Sequence, residues 1–313
     1  MFRTLMVPLD GSELAERALP YAVRLAVASG ARIALVRVAL GPPPTGYDWE
    51  RQQLDALSDA ESYLREVADK VATRVPVRTL TPYGEASTQL LAVISELQVD
   101  GIVMATHGRT GLAHLLHGSV AEALLARSPV PVFLVHAQPG EATAPPFDPV
   151  SARIIVPLDG STFAEAALPI ALQMLGAAGE LVLVSVAAPP KHVELDETGH
   201  VRAYLDQQED SLRREALEYL RGVIAQLTRS DPDLHVAADV RIGEPAQGIV
   251  IAAIDRGADL VVMSTHGRTG LGRVLMGSVA GEVMRTGHTP VVLVGPTAVR
   301  IVSPSMRPAA AAV

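Results

Sequence analysis

Apolar positions along the chain switch between two periods, and the switching predicts its elements. Short β-rich runs, "TLMVPL" from Thr4, "RIALVRVAL" from Arg32 and "VPVRTLTP" from Val75, read as strands. Between them, apolar residues recur at helical spacing in "SELAERALPYAVRLAVASG" from Ser12, "ERQQLDALSDAESYLREVADKVATR" from Glu50 and "ASTQLLAVISELQ" from Ala86. Ser12 is a candidate N-cap of the first of these helices, and Gly30 its stop. Pro20 and its later counterpart Pro169 lie inside that pattern and predict a local kink. "DGIVMAT" from Asp100, "GSVAEALLARS" from Gly118 and "PVPVFLVH" from Pro129 add a strand, a helix and a strand.

The whole series then repeats. "TLMVPLDGSELAERALPYA" at Thr4 returns as "RIIVPLDGSTFAEAALPIA" at Arg153, an offset of 149 residues. "YGEASTQLLAVISELQVDGIVMATHGRTGL" at Tyr83 returns as "IGEPAQGIVIAAIDRGADLVVMSTHGRTGL" at Ile242, an offset of 159, so the second copy holds ten extra residues. They are placed most simply in "KHVELDETGHVRAYLDQQED". Two units this long are a domain duplication. The expected organisation is a first domain over 1–137, a linker over 138–151, a second domain over 152–296 and a disordered tail over 297–313.

Strands alternating with helices imply a parallel sheet covered on both faces, because parallel strands need crossover connections. The fold class is therefore α/β: two tandem doubly wound, Rossmann-like parallel-sheet domains of five strands each. The final strands, Val130–Val135 and Thr289–Val294, are apolar and Val-rich. Exposed edges of that kind aggregate, so the two are expected to cover each other about a pseudo-twofold axis.

Composition narrows the function. The 313 residues include no cysteine, which removes disulfides, thiolate metal sites and cysteine nucleophiles. A net charge of -8 argues against a dedicated nucleic-acid binder. No apolar run approaches a membrane span, and "MFRTLMVPLD" meets an aspartate too soon for a signal peptide, so a cytoplasmic location is expected.

In a doubly wound sheet, ligands bind outside the carboxyl ends of the strands. Two pieces of each unit fall there: the Asp-Gly-Ser with Asp10 or Asp159, and the glycine stretches Gly108–Ser119 and Gly267–Ser278. Gly118-Ser119 and Gly277-Ser278 stand directly before a helical pattern, where free N–H groups and the helix dipole favour an anion. Ser119 and Ser278 either donate to a phosphate or cap the helix, and the glycines either admit a phosphate or only make the turn. Neither a Walker A loop nor the dinucleotide fingerprint is present.

"VPLDGSELAERAL", "YGEASTQLL" and "MATHGRTGLAHLLHGSVAEALLARSPVPVFLV" resemble the universal stress protein family, and the second unit resembles it equally. The resemblance implies an adenine-nucleotide-binding fold related to the adenine nucleotide alpha hydrolases, associated with survival under stress and usually dimeric. Its nucleotide motif is a glycine, two residues, a second glycine, nine residues, then Gly-Ser or Gly-Thr. Gly108 with Gly118-Ser119, and Gly267 with Gly277-Ser278, match the second half; Ala105 and Ser264 stand where the first glycine would. By resemblance Asp10 and Asp159 reach the adenosine end, and Val38 and Val186 line the base. The same resemblance extends the expected contacts to Pro8, Met104, Gly111 and Val120, and to Pro157, Met263, Gly270 and Val279.

His107 and His266 precede the motif glycine and Arg109 and Arg268 follow it. A phosphate contact is weighed there against a strand-end histidine and a solvated or subunit-facing arginine. His114 and His117 have helical spacing but are not duplicated, so no metal site is expected. The runs "LREVADK" and "EDSLRREALEYLR" read as solvated helix faces. The expectation is a stress-response regulator with ATP or another adenine nucleotide as cofactor, Mg as its optional companion, and at most a slow incidental ATPase activity. Its partners would be the nucleotide, its own second domain and a second copy of the chain, with neither nucleic acid nor membrane. The alternatives are a nucleotide-independent interaction protein and an adenylate-transferring enzyme on the same fold.

Overall fold

A computed structural model describes residues 2–39, 49–107, 119–137, 150–189, 194–195, 201–203, 205–265 and 276–298. The first unit runs β1 (Thr4–Pro8), α1 (Glu13–Glu16), α2 (Leu19–Ser29), β2 (Arg32–Val36), α3 (Trp49–Val71), β3 (Val77–Leu80), α4 (Ala86–Glu96), β4 (Gly101–His107), α5 (Ser119–Arg127) and β5 (Val132–Ala137). The second runs β6 (Arg153–Pro157), α6 (Thr162–Glu165), α7 (Leu168–Met174), β7 (Glu180–Ala187), β8 (Glu194–Leu195), β9 (Val201–Ala203), α8 (Leu205–Ser230), β10 (Val236–Ile242), α9 (Pro245–Asp255), β11 (Leu260–Ser264), α10 (Ser278–Thr286) and β12 (Val291–Val294). The short antiparallel pair β8–β9 lies in the insertion that only the second unit carries.

Both units open on the same local device. Asp10 Oδ1 accepts from the Ser12 amide at 2.9 Å and the Ser12 hydroxyl at 2.6 Å, and Ser12 Oγ caps α1 by accepting from the Ala15 amide at 3.1 Å. Asp159, Ser161 and Ala164 repeat it at 2.9, 2.6 and 3.2 Å. Gly11 and Gly160, with φ of 92° and 83°, make the turn that a side chain would strain. The kink expected at Pro20 and Pro169 is instead a break. Each proline falls in the first turn of a new helix, α2 or α7, where its missing N–H has no helical acceptor to lose. Gly30 ends α2 in the left-handed conformation, as its position suggested.

The other ten strands form one sheet in the order β10-β7-β6-β11-β12-β5-β4-β1-β2-β3. All neighbours are parallel except β12 and β5, which meet antiparallel in the register Val291↔Leu134, Val292↔Phe133 and Leu293↔Val132. The two Val-rich ends thus cover each other. Alternation sends Phe133, Val135, Val292 and Val294 into one core and Val132, Leu134, Val291 and Leu293 into the other. The first core is closed by α2, α3, α7 and α8, and the second by α4, α5, α9 and α10. Leu134, Val291 and Leu293 are at most 1% exposed, and each such side chain contributes about 1.5–3 kcal/mol of burial free energy. Among the described residues no helix is long and apolar enough to cross a membrane.

Candidate functional site

In the second unit the carboxyl ends of β6, β7 and β11 open into a cavity of about 770 Å³. That volume falls within the range of roughly 300–1,000 Å³ typical of small-molecule sites. Each of the three strands contributes to its lining. After β6, Pro157, Asp159 and Gly160 form one wall; β7 contributes Ser185 and Val186; β11 contributes Met263, Ser264 and, just beyond it, Thr265. The start of α10, Gly277 to Ala280, closes the far side.

Every second-unit candidate within the described residues is therefore at this cavity: Pro157, Asp159, Val186, Met263, Ser264, Gly277, Ser278 and Val279. Their first-unit counterparts occupy the matching edge. Pro8 ends β1, Asp10 follows it exposed, Val38 follows β2, Met104 and Ala105 are half-buried in β4, and Ser119 and Val120 begin α5. His107 ends β4, with its side chain outside the described residues. Gly108, Arg109, Gly111, Gly118, His266, Gly267, Arg268 and Gly270 also lie outside them, as do His114, His117, linker residues 138–149 and the tail beyond Ala298.

Ser278 does not cap α10. It is the first helical residue, and the cap position belongs to Gly277, with φ −62° and no side chain to offer. Any residue can adopt that φ, so the backbone conformation alone does not call for glycine, and Gly277 enters the site as part of the cavity lining. The Gly277 amide donates to the Thr265 carbonyl at 2.7 Å, which ties the two ends of the glycine stretch together at the rim. Helix-start amides and the Ser264 and Ser278 hydroxyls are groups suited to an anion, while the buried Thr265 hydroxyl donates to the Val294 carbonyl. The described lining includes no lysine or arginine. Among the described residues no group of three His, Asp or Glu side chains is arranged to hold a metal ion.

The apolar wall is held by a close approach. A Cβ on Gly248 of α9 would lie 2.7 Å from Val186 Cγ1, so the glycine lets the helix pack onto the wall. The first unit has Gln89 at the corresponding position.

One wall was not legible. The run "EDSLRREALEYLR", read as a solvated face, presents Leu212, Glu215, Ala216 and Tyr219 to the cavity at helical spacing. The Tyr219 hydroxyl donates to Glu165 Oε1 at 2.8 Å. Burial, then the bond to Glu165 and its charge, push the phenol well above its ordinary range, so it remains protonated. Tyr63 repeats the arrangement, donating to Glu16 Oε1 at 3.1 Å, and is raised by burial and the Glu16 charge. The repeated "YLR" at Tyr63 and Tyr219 was the available signal.

Comparison with known proteins agrees with this architecture. The Universal stress protein family is matched twice, over residues 1–136 and 151–295. Universal stress protein Rv2005c of Mycobacterium tuberculosis is 30% identical over 63% of this chain, and the match spans 62% of that protein's length, short of two thirds. A universal stress protein of Mycolicibacterium smegmatis is 25% identical over 93% of this chain and 97% of its own. Among solved structures, a universal stress protein from Archaeoglobus fulgidus superposes with a TM-score of 0.66 at 21% identity, covering 93% of this chain and 95% of that one.

Proposed function

Because the chain belongs to the universal stress protein family, we propose that it binds ATP or another adenine nucleotide in the second-unit cavity and acts as a cytoplasmic, nucleotide-dependent regulator in a stress response. The observation that carries this reading is the coincidence of the Gly277-Ser278 half of the nucleotide motif with a roomy cavity at the carboxyl ends of three strands. Val186 and Met263 would line the base, and Asp159, at the same cavity, would reach the adenosine end. The α10 start and its hydroxyls would receive the phosphates. ATP supplies the negative charge these groups favour, and magnesium would arrive on its phosphates. Hydrolysis, in this reading, is slow and incidental: the described lining offers no cation to a developing phosphoryl charge.

Gly277→Glu puts bulk and negative charge at the rim in a backbone conformation that glutamate tolerates. The folded variant is expected to lose ATP binding by calorimetry while its thermal midpoint changes little. Unchanged ATP affinity would refute the site. Mass spectrometry of ligand released from the denatured wild-type protein gives an independent reading. Clean protein that also gives no heat with ATP would favour the nucleotide-independent interaction protein.

A further inference from the structure

The two units differ at one position of each pocket in a way that changes what the pocket can hold. Val36 pairs with Pro8, and Val184 pairs with Pro157, so the next residues, Arg37 and Ser185, occupy equivalent places at the carboxyl edge. Ser185 and Gly160 line the open cavity of the second unit. Their counterparts in the first unit, Arg37 and Gly11, lie against each other. The Arg37 guanidinium lies 4.7 Å from the centre of the Tyr63 ring. Its Nη2, Cζ and Nη1 atoms lie 3.1, 3.2 and 3.4 Å from where a Cβ on Gly11 would stand.

The guanidinium therefore bridges from α3 to the turn after β1. Its placement is not that of a loose surface side chain. The Arg37 amide donates to the Leu80 carbonyl at 3.1 Å, which fixes the base of the side chain. Tyr63 is anchored beneath it through Glu16, which also meets Lys70 at 3.5 Å. A planar cation on an aromatic face is a favourable pairing that an adenine base entering the pocket would have to displace.

We propose that Arg37 is a built-in occupant of the first-unit pocket, so that the tandem chain carries one adenine-nucleotide site, in its second unit. Resting on the functional reading above, this assigns Arg37 as the residue that distinguishes the two pockets. Serine at this position leaves the pocket open, and arginine lying on Gly11 closes it.

The test is calorimetry of the full chain with ATP and magnesium, on wild type, Arg37→Ser and Ser185→Arg, each checked for folding by circular dichroism. The expected result is one site per chain in wild type, two in Arg37→Ser and none in Ser185→Arg. Two sites in wild type would overturn the proposal, as would a folded Arg37→Ser that still binds one equivalent; in both cases nucleotide binding itself would stand. If Arg37→Ser fails to fold, Ser185→Arg decides alone, and ATP affinity equal to wild type would overturn the proposal. No binding by any of the three proteins would sink both this inference and the functional reading.

Discussion

Glu85 caps α4 with both carboxylate oxygens, accepting from the Ser87 amide and hydroxyl and from the Thr88 amide at 2.7–3.0 Å. Hydrogen bonds from Thr88, then from Ser87, lower its pKa from 4.5 to about 2. The charged form is favoured by the fold, so the stability it contributes is full above about pH 4.5 and is lost as the pH falls toward 2. Glu85→Gln is expected to unfold in less urea than wild type near neutral pH, with the gap closing in acid. A gap that persists unchanged in acid would contradict the sign. The cap was not legible beforehand, because glutamate is not among the favoured capping residues. Ser12 was legible because it is one. The same limit applies at Arg37: the sequence shows arginine against serine, but not that the arginine folds back over Gly11.

At the level of elements, period and punctuation located strands and helices well, because both are local signals. What they missed depends on neighbours. The first-turn role of Pro20 requires knowing that α1 has already ended at Glu16. The cavity face of α8 looks like any charged stretch until the sheet edge is beside it. The strand β10 is a further case. Among the described residues it pairs with β7 alone and forms one end of the ten-stranded sheet, where Asp239 takes the register position that Leu80 holds in β3. Asp239 is 9% exposed and accepts from Arg241 at 3.1–3.2 Å and from Arg256 at 2.9 Å. Burial alone would raise its pKa; the hydrogen bonds from the two arginines outweigh that and lower it. An inward charge on an end strand resists pairing with another copy's sheet. Asp239→Ala leaves two guanidinium groups side by side. Because the arginines are partly exposed, we expect a loss of about 2–3 kcal/mol, below the full cost of breaking a deeply buried pair, together with a greater tendency to aggregate. Urea unfolding and light scattering check the two effects, and a loss within experimental error would show the network to be solvent-screened.

For the whole molecule, the apolar terminal strands and the duplication were enough to expect the β5–β12 contact, since an uncovered Val-rich edge has few other fates. Residues 1–140 expressed alone should associate through the freed β5 edge, giving a dimer by sedimentation. A monomer that stays soluble at high concentration would count against that edge as the binding surface. The antiparallel joint has a directional consequence. Within the ten-stranded sheet the strands of each unit run one way, and β12 runs against β5, so the carboxyl ends of the two half-sheets point to opposite sides of the molecule. The two rims face away from each other like the mouths of an hourglass. A flat partner that docks on one rim is blind to the other. Duplication in this geometry leaves each rim free to drift without disturbing the other, provided both keep their share of the central joint.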